Sequence, residues 1–181
     1  RQGGEALTMD VSVLGNPKGP TDWSKHDVVA AADTTIDAII GSQDENIAMQ
    51  AMARGSAALA ARLHREGRFD GVLVLGGSMG TDLALDLCAA LPLGVPKYIV
   101  STVSFSPMIP PGRLAADIQM ILWAGGLYGL NSVCKATLSQ AAGAGLGAAR
   151  AVQMPDDKQR VIAMSGFNSK VVTYMVALKP A

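Results

Sequence analysis

The chain has 181 residues, of which 49% are hydrophobic and 17% charged, a composition typical of a globular protein with one substantial core. Fifteen basic residues balance fifteen acidic ones, so no net field favours nucleic acid, an anionic membrane or a strongly acidic partner. Every long apolar stretch is interrupted before the roughly 18 residues that a membrane-spanning helix needs.

The cysteines and the chain ends set two further expectations. Cys88 and Cys134 lack the CxxC or Cys/His spacing of a zinc or redox site, so we expect buried free thiols in a reducing, cytoplasmic compartment. The chain starts without Met and stops at Ala181 within a helical pattern. We therefore expect a domain that is truncated at its N-terminus and belongs to a longer protein.

The first half of the chain predicts a strand and two helices. Residues Leu7 to Leu14 alternate as a strand does. Ser24 and Asp27 predict a capped start for a short helix that continues to Ala32. Asp44 predicts the start of a long helix that ends at Gly67.

The middle of the chain predicts a strand, helix, strand unit. Gly71 to Leu75 is uniformly apolar, which indicates a strand buried on both faces, and Met79 to Leu91 has a helical pattern. Lys97 to Thr102 predicts a second strand of the same kind. Such a unit implies a parallel sheet with ligands beyond the carboxyl ends of its strands.

The last third continues this alternation. We predict a strand over Asp117 to Trp123 and a long helix over Ser132 to Gln153, capped by Asn131 or Ser132. A polar linker then precedes a strand over Arg160 to Met164 and a helix over Asn168 to Leu178. The predicted fold is α/β, a doubly wound, mainly parallel, Rossmann-like sheet. Residues 1–155 form this domain, and residues 156–181 are a linker and the start of a second α/β domain.

The segment Gly76-Gly77-Ser78-Met79-Gly80-Thr81 joins the first buried strand to a helix. Glycines let the backbone approach a ligand, and a helix N-terminus offers free N–H groups, a combination that suits phosphate. Ser78 or Thr81 can add a hydroxyl donor. The segment lacks the Lys of a Walker A loop and is not GxGxxG, so a tight turn built only for packing remains the alternative.

Four other side chains are weaker candidates for the same site. Ser101 and Thr102 follow the second strand, where a phosphate or ribose can accept their hydrogen bonds, although a solvated loop explains them equally. Asp117 suits a metal or a ribose hydroxyl, or simply caps a strand. Arg54 suits a phosphate, or a solvated helix face.

The same glycine-rich segment also spells GxSxG, the nucleophile elbow of α/β-hydrolases, with Ser78 as nucleophile. That mechanism needs a histidine later in the chain, and none follows His64. Hydrolysis at Ser78 is therefore the alternative, and it requires residues outside this chain.

Several motifs together resemble a known family. In order and spacing they are similar to the ATP-binding N-terminal domain of the family named for a tomato mosaic virus resistance protein, over Leu7 to Ala181. The motifs are Gly71 to Thr81, Leu91 to Lys97, Ser101-Thr102, Ala116 to Ile118 and Gly129 to Asn131.

The resemblance implies a nucleotide-binding domain followed by a second α/β domain, with an opening strand and an Asp-Thr-Lys-Gly type loop ahead of Arg1. It implies ATP, with magnesium, as cofactor. Residues implied to hold phosphates are Gly76, Gly77, Ser78, Gly80, Thr81 and Arg54. Residues implied to line the rest of the site are Ser101, Thr102, Asp117 at ribose or magnesium, and Asn131 near the base or sugar.

Three functions follow as hypotheses. The first is an ATP-binding module whose nucleotide stabilises a homodimer or an interdomain state. The second is an enzyme, either a nucleotide-dependent transferase or a Ser78 hydrolase, completed by segments outside this chain. The third is a structural oligomerisation domain that packs the Ala/Gly-rich helix Ser132 to Gln153 against its own copy.

Overall fold

Three parallel strands and the helices around them organise the chain. The computed structural model describes residues 3–123 and 130–151. The predicted elements over 160–178 lie outside these residues. In chain order the elements are helices α1 (Lys25–Ala30), α2 (Ile36–Gly41) and α3 (Glu45–Arg65), strand β1 (Val72–Gly76), helix α4 (Ser78–Ala89), strand β2 (Lys97–Ser101), a 3₁₀ turn (Pro111–Arg113), strand β3 (Ile118–Leu122) and helix α5 (Ser132–Ala151).

The sheet has the order β1-β2-β3, and both pairings are parallel. Val72 lies opposite Lys97, which lies opposite Ile118, so the three strands start at one edge and finish together at the other. The prediction of an α/β fold with a parallel, Rossmann-like sheet is confirmed. The carboxyl edge is formed by Gly76, Ser101 and Leu122.

Local capping chemistry sets the helix starts as predicted. The Asp27 carboxylate accepts hydrogen bonds from the Ser24 N–H (2.8 Å) and the Ser24 hydroxyl (2.6 Å), completing the capping box of α1. Asp44 Oδ1 accepts the N–H of Asn46 (2.8 Å) at the start of α3, and Gly67, with φ +66°, follows its end. Helix α2 was not predicted, although Thr35 caps it.

The prediction of a strand over Leu7 to Leu14 is wrong. Residues there form one isolated bridge, between Met9 and Trp23, with hydrogen bonds such as Asp10 N–H to Trp23 O (2.9 Å). An alternating pattern forms a strand only where a neighbouring strand supplies the ladder. The segment instead packs against the helices, with Met9 and Val13 on the core formed by α1, α2 and α3.

The core comprises two adjoining clusters. The first joins α1, α2 and α3, and the close approach of α1 to α3 requires Gly55, because a Cβ there would collide with the backbone carbonyl of Val28. The second lies between α4 and one face of the sheet, where Ile99 is fully buried. On the opposite face, Leu73 and Leu75 are 40% and 56% exposed, so the prediction that β1 is buried on both faces is wrong.

The exposure of β1 follows from its position. β1 is an outer strand of the described sheet. Helix α5 contacts β1 and β2 but leaves part of the apolar face of β1 uncovered. Sequence alone cannot distinguish an outer strand from a central one when every residue in it is apolar.

Candidate functional site

The turn between β1 and α4 lies at the carboxyl edge of the sheet. β1 ends at Gly76, Gly77 precedes the helix without a side-chain cap, and α4 begins at Ser78. The first N–H of this turn with an intrahelical acceptor is that of Thr81, which donates to Gly77 O (2.8 Å). Helix geometry therefore directs the N–H groups of Ser78, Met79 and Gly80 out of the first turn, where they are available to an anion.

Two glycines of this turn differ in what requires them. A Cβ on Gly76 would lie 2.6 Å from the carbonyl carbon of Gly80, so packing of the strand end on α4 demands glycine there. A Cβ on Gly80 would meet only Leu75 O, at 3.6 Å, an ordinary contact. Packing explains Gly76 without a ligand, whereas it leaves the absence of a side chain at Gly80 unexplained.

A chain of buried hydroxyls fixes the turn to the end of β2. Val103 N–H donates to Ser101 Oγ (3.0 Å), Ser101 and Thr81 share a 2.6 Å hydrogen bond, and Thr81 Oγ1 donates to Gly77 O (2.7 Å). Because the Thr81 proton goes to Gly77, Ser101 must be the donor between the two hydroxyls. Thr81 is 2% exposed and Ser101 fully buried. These side chains are thus satisfied internally, and they position the turn.

Other predicted residues share this edge. Thr102 is half-buried, and its N–H donates to Gly76 O (3.3 Å). Ser78 is exposed as the first residue of α4. Asn131 is exposed at the start of α5, where its side-chain oxygen accepts the N–H of Cys134 (2.9 Å), so it caps the helix as predicted. α5 follows β3, which ends at the same sheet edge.

Asp117 lies at the opposite edge of the sheet. It immediately precedes β3, so the full length of the strands separates it from Gly76 to Thr81. Its Oδ2 accepts hydrogen bonds from Lys97 Nζ (2.6 Å) and Gly94 N–H (2.9 Å). The expectation that Asp117 contacts ribose or magnesium beside the loop is therefore not met, because a residue before a strand and a residue after one lie at opposite edges.

Arg54 is exposed in the middle of α3. Its neighbour Gly55 is the residue that packs on α1, and Arg54 does not line the pocket described below. Arg54 therefore lies on a solvated helix face, which is the alternative that the sequence left open. It forms no hydrogen bond or ion pair with the described part of the chain.

A loop follows β2 and is held against α4 by one arginine. Arg113 Nη1 lies 2.7 Å from Asp82 Oδ1, and its Nη2 lies 2.8 Å from Asp86 Oδ1. The same Nη2 donates to the backbone carbonyl of Asp82 (3.2 Å). Within this loop Phe105 has φ +63° and is 80% exposed. The ion pairs of Arg113 with Asp82 and Asp86 of α4 thus fix this loop beside the turn.

An apolar pocket of about 580 Å³ adjoins the turn, and Met79 and Gly80 of the turn form part of its wall. The sequence reading missed it, because its walls come from four separate segments: residues 11–14, α2, the start of α3 and the start of α4. The only sequence signal was the number of large apolar residues there. The lining residues are Val11, Val13, Leu14, Ile39, Ile40, Gln43, Asp44, Glu45, Ala48, Met49, Met52, Met79, Gly80 and Leu83.

Both cysteines are buried free thiols, as predicted. Burial raises the pKa of the Cys88 thiol to about 11, against a smaller opposing effect of the Lys97 charge. The thiol is thus protonated at neutral pH and a poor nucleophile. Within residues 3–123 and 130–151, no cluster of three or more His, Cys, Asp or Glu side chains is arranged to hold a metal ion. In the same ranges, no helix combines the length and apolarity needed to cross a membrane.

Comparison with known proteins places these features in a family. Residues 1–154 match the model described as "Uncharacterised protein family (UPF0261) N-terminal domain". A UPF0261 protein of Brucella suis is 54% identical over 180 residues, 99% of this chain and 43% of the relative. A UPF0261 protein of Clostridium tetani is 35% identical over 147 residues, 81% of this chain and 36% of the relative. The chain thus spans less than half the length of these relatives.

The likeness to the tomato protein is shorter than expected. The ToMV resistance protein Tm-1 of Solanum lycopersicum is 38% identical over 74 residues, 41% of this chain and 10% of that protein. The expected resemblance from Leu7 to Ala181 is therefore found in part.

Proposed function

The chain belongs to the UPF0261 N-terminal domain family, and from that premise we propose that it binds ATP through the turn Gly76 to Thr81. The observation that carries this proposal is Gly80. Packing leaves its side-chain position open, at the first turn of a helix whose free N–H groups face outward from the carboxyl edge of a parallel sheet.

The proposed roles within the turn differ from one residue to the next. The N–H groups of Ser78, Met79 and Gly80 bind phosphate oxygens, and the exposed Ser78 hydroxyl adds one donor. Thr81 and Ser101 act by positioning the turn. A magnesium ion bound together with the nucleotide would take its oxygen ligands from the phosphates. Asn131 and Thr102 flank the site from the same sheet edge, as proposed contacts to sugar or phosphate.

The cellular role that we propose is that of a cytoplasmic module in which nucleotide stabilises a homodimer or an interdomain state. Neither the turn nor the described wall of the adjoining pocket contains a histidine, which favours binding over hydrolysis. In the described residues, left-handed φ values outside glycine occur at Asp33, Gln43 and Phe105, so Ser78 lacks that form of strain. A nucleophile elbow places its serine on a sharp, strained turn, and Ser78 instead starts a regular helix.

The test is calorimetric titration with ATP and magnesium of the native chain and of Gly80→Ala. The added methyl group narrows the approach to the N–H groups, and we expect affinity to fall about fivefold, equivalent to roughly one hydrogen bond or 1 kcal/mol. The variant should fold, and its free energy of unfolding should be unchanged or higher by up to about 1 kcal/mol, because alanine is the better helix former.

Gly147→Ala is the matched control. Gly147 is exposed in α5, and a Cβ there would meet nothing within 4 Å. It should raise stability similarly without changing affinity. No heat with millimolar nucleotide, or equal affinities for both variants, would contradict the phosphate role of the turn.

Ser78→Ala separates binding from hydrolysis. A phosphate site loses about one hydrogen bond, roughly 1 kcal/mol of binding, whereas a serine hydrolase loses essentially all turnover. Assaying the variant for both nucleotide affinity and esterase activity decides between them.

A further inference from the structure

We propose that the apolar pocket beside α4 holds the purine base of the nucleotide, with adenine preferred for its exocyclic amine. This inference rests on the proposed function, since it places the base of the same ligand. It starts from continuity, because Met79 and Gly80 belong both to the phosphate-binding turn and to the pocket wall. A ligand bound to the N–H groups of this turn has the pocket mouth directly beside it.

The size and lining of the pocket suit a flat heteroaromatic ring. Its volume of about 580 Å³ is in the range of small-molecule sites, which extends from about 300 to 1,000 Å³. Three methionines, Met49, Met52 and Met79, contribute thioether groups, which make favourable contacts with aromatic rings. Ile39, Ile40 and Leu83 complete an apolar wall that water solvates poorly.

Charge sets the orientation of the ligand. The start of α4 carries the partial positive charge of a helix N-terminus, which attracts phosphate. Asp44 and Glu45 lie at another part of the pocket wall and repel phosphate. The phosphates therefore lie at α4 and the uncharged base lies towards α3. The same orientation follows from the position of the pocket directly beside the turn.

Polar groups on the α3 side suit an amine. Asp44 Oδ1 is engaged by the N–H groups of Asn46 and Ile47, whereas Gln43 and Glu45 are exposed. The Glu45 carboxylate can only accept hydrogen bonds, so it pairs with the exocyclic amine of adenine and is repelled by the carbonyl oxygen that guanine carries at the same ring position. The wall therefore favours adenine over guanine.

The experiment compares ATP with inorganic tripolyphosphate, which carries the phosphates without a base. Ala48 lines the pocket, and Ala48→Phe fills part of it. We expect this variant to lose at least about tenfold in ATP affinity by calorimetry while its tripolyphosphate affinity is unchanged. The native chain should bind ATP more tightly than GTP.

Two further variants guard against a trivial result. Ala58→Phe makes the same change at an exposed position of the same helix outside the pocket, and it should leave both affinities unchanged. Ile40→Gln alters a pocket residue that is 44% exposed, so the variant should fold normally and bind ATP a few fold more weakly.

The outcomes distinguish the two proposals. If tripolyphosphate and ATP bind but Ala48→Phe and Ile40→Gln weaken both ligands equally or neither, the base lies elsewhere and the phosphate turn stands. If neither ligand binds the native chain, the proposed function fails. Tighter binding of GTP than of ATP overturns the assignment of adenine.

Discussion

The capping box of α1 links the stability of this helix to the ionisation of one carboxyl group. The hydroxyl and N–H of Ser24 both donate to Asp27, and these hydrogen bonds lower the pKa of Asp27 below its ordinary value of 3.8. A carboxyl group with a depressed pKa in the folded state stabilises that state at every pH above its unfolded pKa. This stabilisation is lost as the pH falls through the folded pKa.

We predict that Ser24→Ala lowers the free energy of unfolding by about 1 kcal/mol at neutral pH. The difference from the native chain should shrink below about pH 3.8, because protonation of Asp27 weakens the same interaction in the native protein. Urea unfolding at several pH values measures it.

Thr35→Ala is the control, since Thr35 caps α2 through its hydroxyl alone, accepting the N–H of Ala38 (3.2 Å). The cost of that substitution should change little over the same pH range. A Ser24→Ala difference that grows on acidification would contradict the role of Asp27.

Caps of this kind are predictable from sequence because both partners lie within one helical turn. Ser24 with Asp27, and Asp44 with the start of α3, needed no tertiary information. The pairing of Asp117 with Lys97 did, since the two residues are 20 positions apart and meet only once β2 and β3 have aligned. That difference explains why these caps were predicted correctly and the role given to Asp117 was misplaced.

Between elements, the Lys97 to Asp117 ion pair joins β2, the start of β3 and the turn before β2. The Lys97 side chain is 2% exposed, and its ammonium also donates to the carbonyls of Leu91 (3.2 Å) and Pro92 (3.0 Å). Asp117 Oδ1 is buried and has no hydrogen-bond partner among the residues that the structure describes. Removing one partner would leave the other charge buried and uncompensated.

We expect Lys97→Met to lower the free energy of unfolding by about 3 kcal/mol, and Asp117→Leu to do so by a similar amount. The double variant should recover much of this loss, because no unpaired charge then remains. A double-mutant cycle by urea denaturation measures the coupling, and strictly additive losses would show that the pair has no energetic link.

Some elements could be predicted from the sequence, whereas features that depend on contacts between elements could not. Strand β2, the helix α4 and the capped start of α5 follow from composition and spacing within short segments. The failure of Leu7 to Leu14 to form a strand, and the pocket between that segment and α4, depend on neighbours that the pattern does not specify. A local pattern reports propensity, whereas the partner determines the outcome.

At the scale of the whole molecule, an exposed apolar strip coincides with zero net charge. β1 is an outer strand of the described sheet, and it exposes Leu73 and Leu75. With fifteen charges of each sign and a sequence pI near 6.9, no net repulsion keeps copies apart at neutral pH. Outer strands with exposed apolar residues are sites of self-association.

Leu75→Lys should therefore reduce concentration-dependent association near pH 7, as measured by light scattering or sedimentation, with less than about 1 kcal/mol of change in stability. Leu93→Lys is the control, because Leu93 is 67% exposed in the turn before β2. Equal suppression by both variants would point to net charge, and no suppression by Leu75→Lys would exclude β1 as the contact.

The hydroxyl chain from Val103 through Ser101 and Thr81 to Gly77 bears on the entropy of binding. The Thr81 and Ser101 hydroxyls are buried and hydrogen-bonded to each other, so a ligand need not first displace water from them. The turn is thus preorganised, and the anion proposed to bind at α4 would order little protein on binding. Little of the interaction energy would then be spent on restricting motion, which favours the proposal that a short turn without a lysine retains a phosphate.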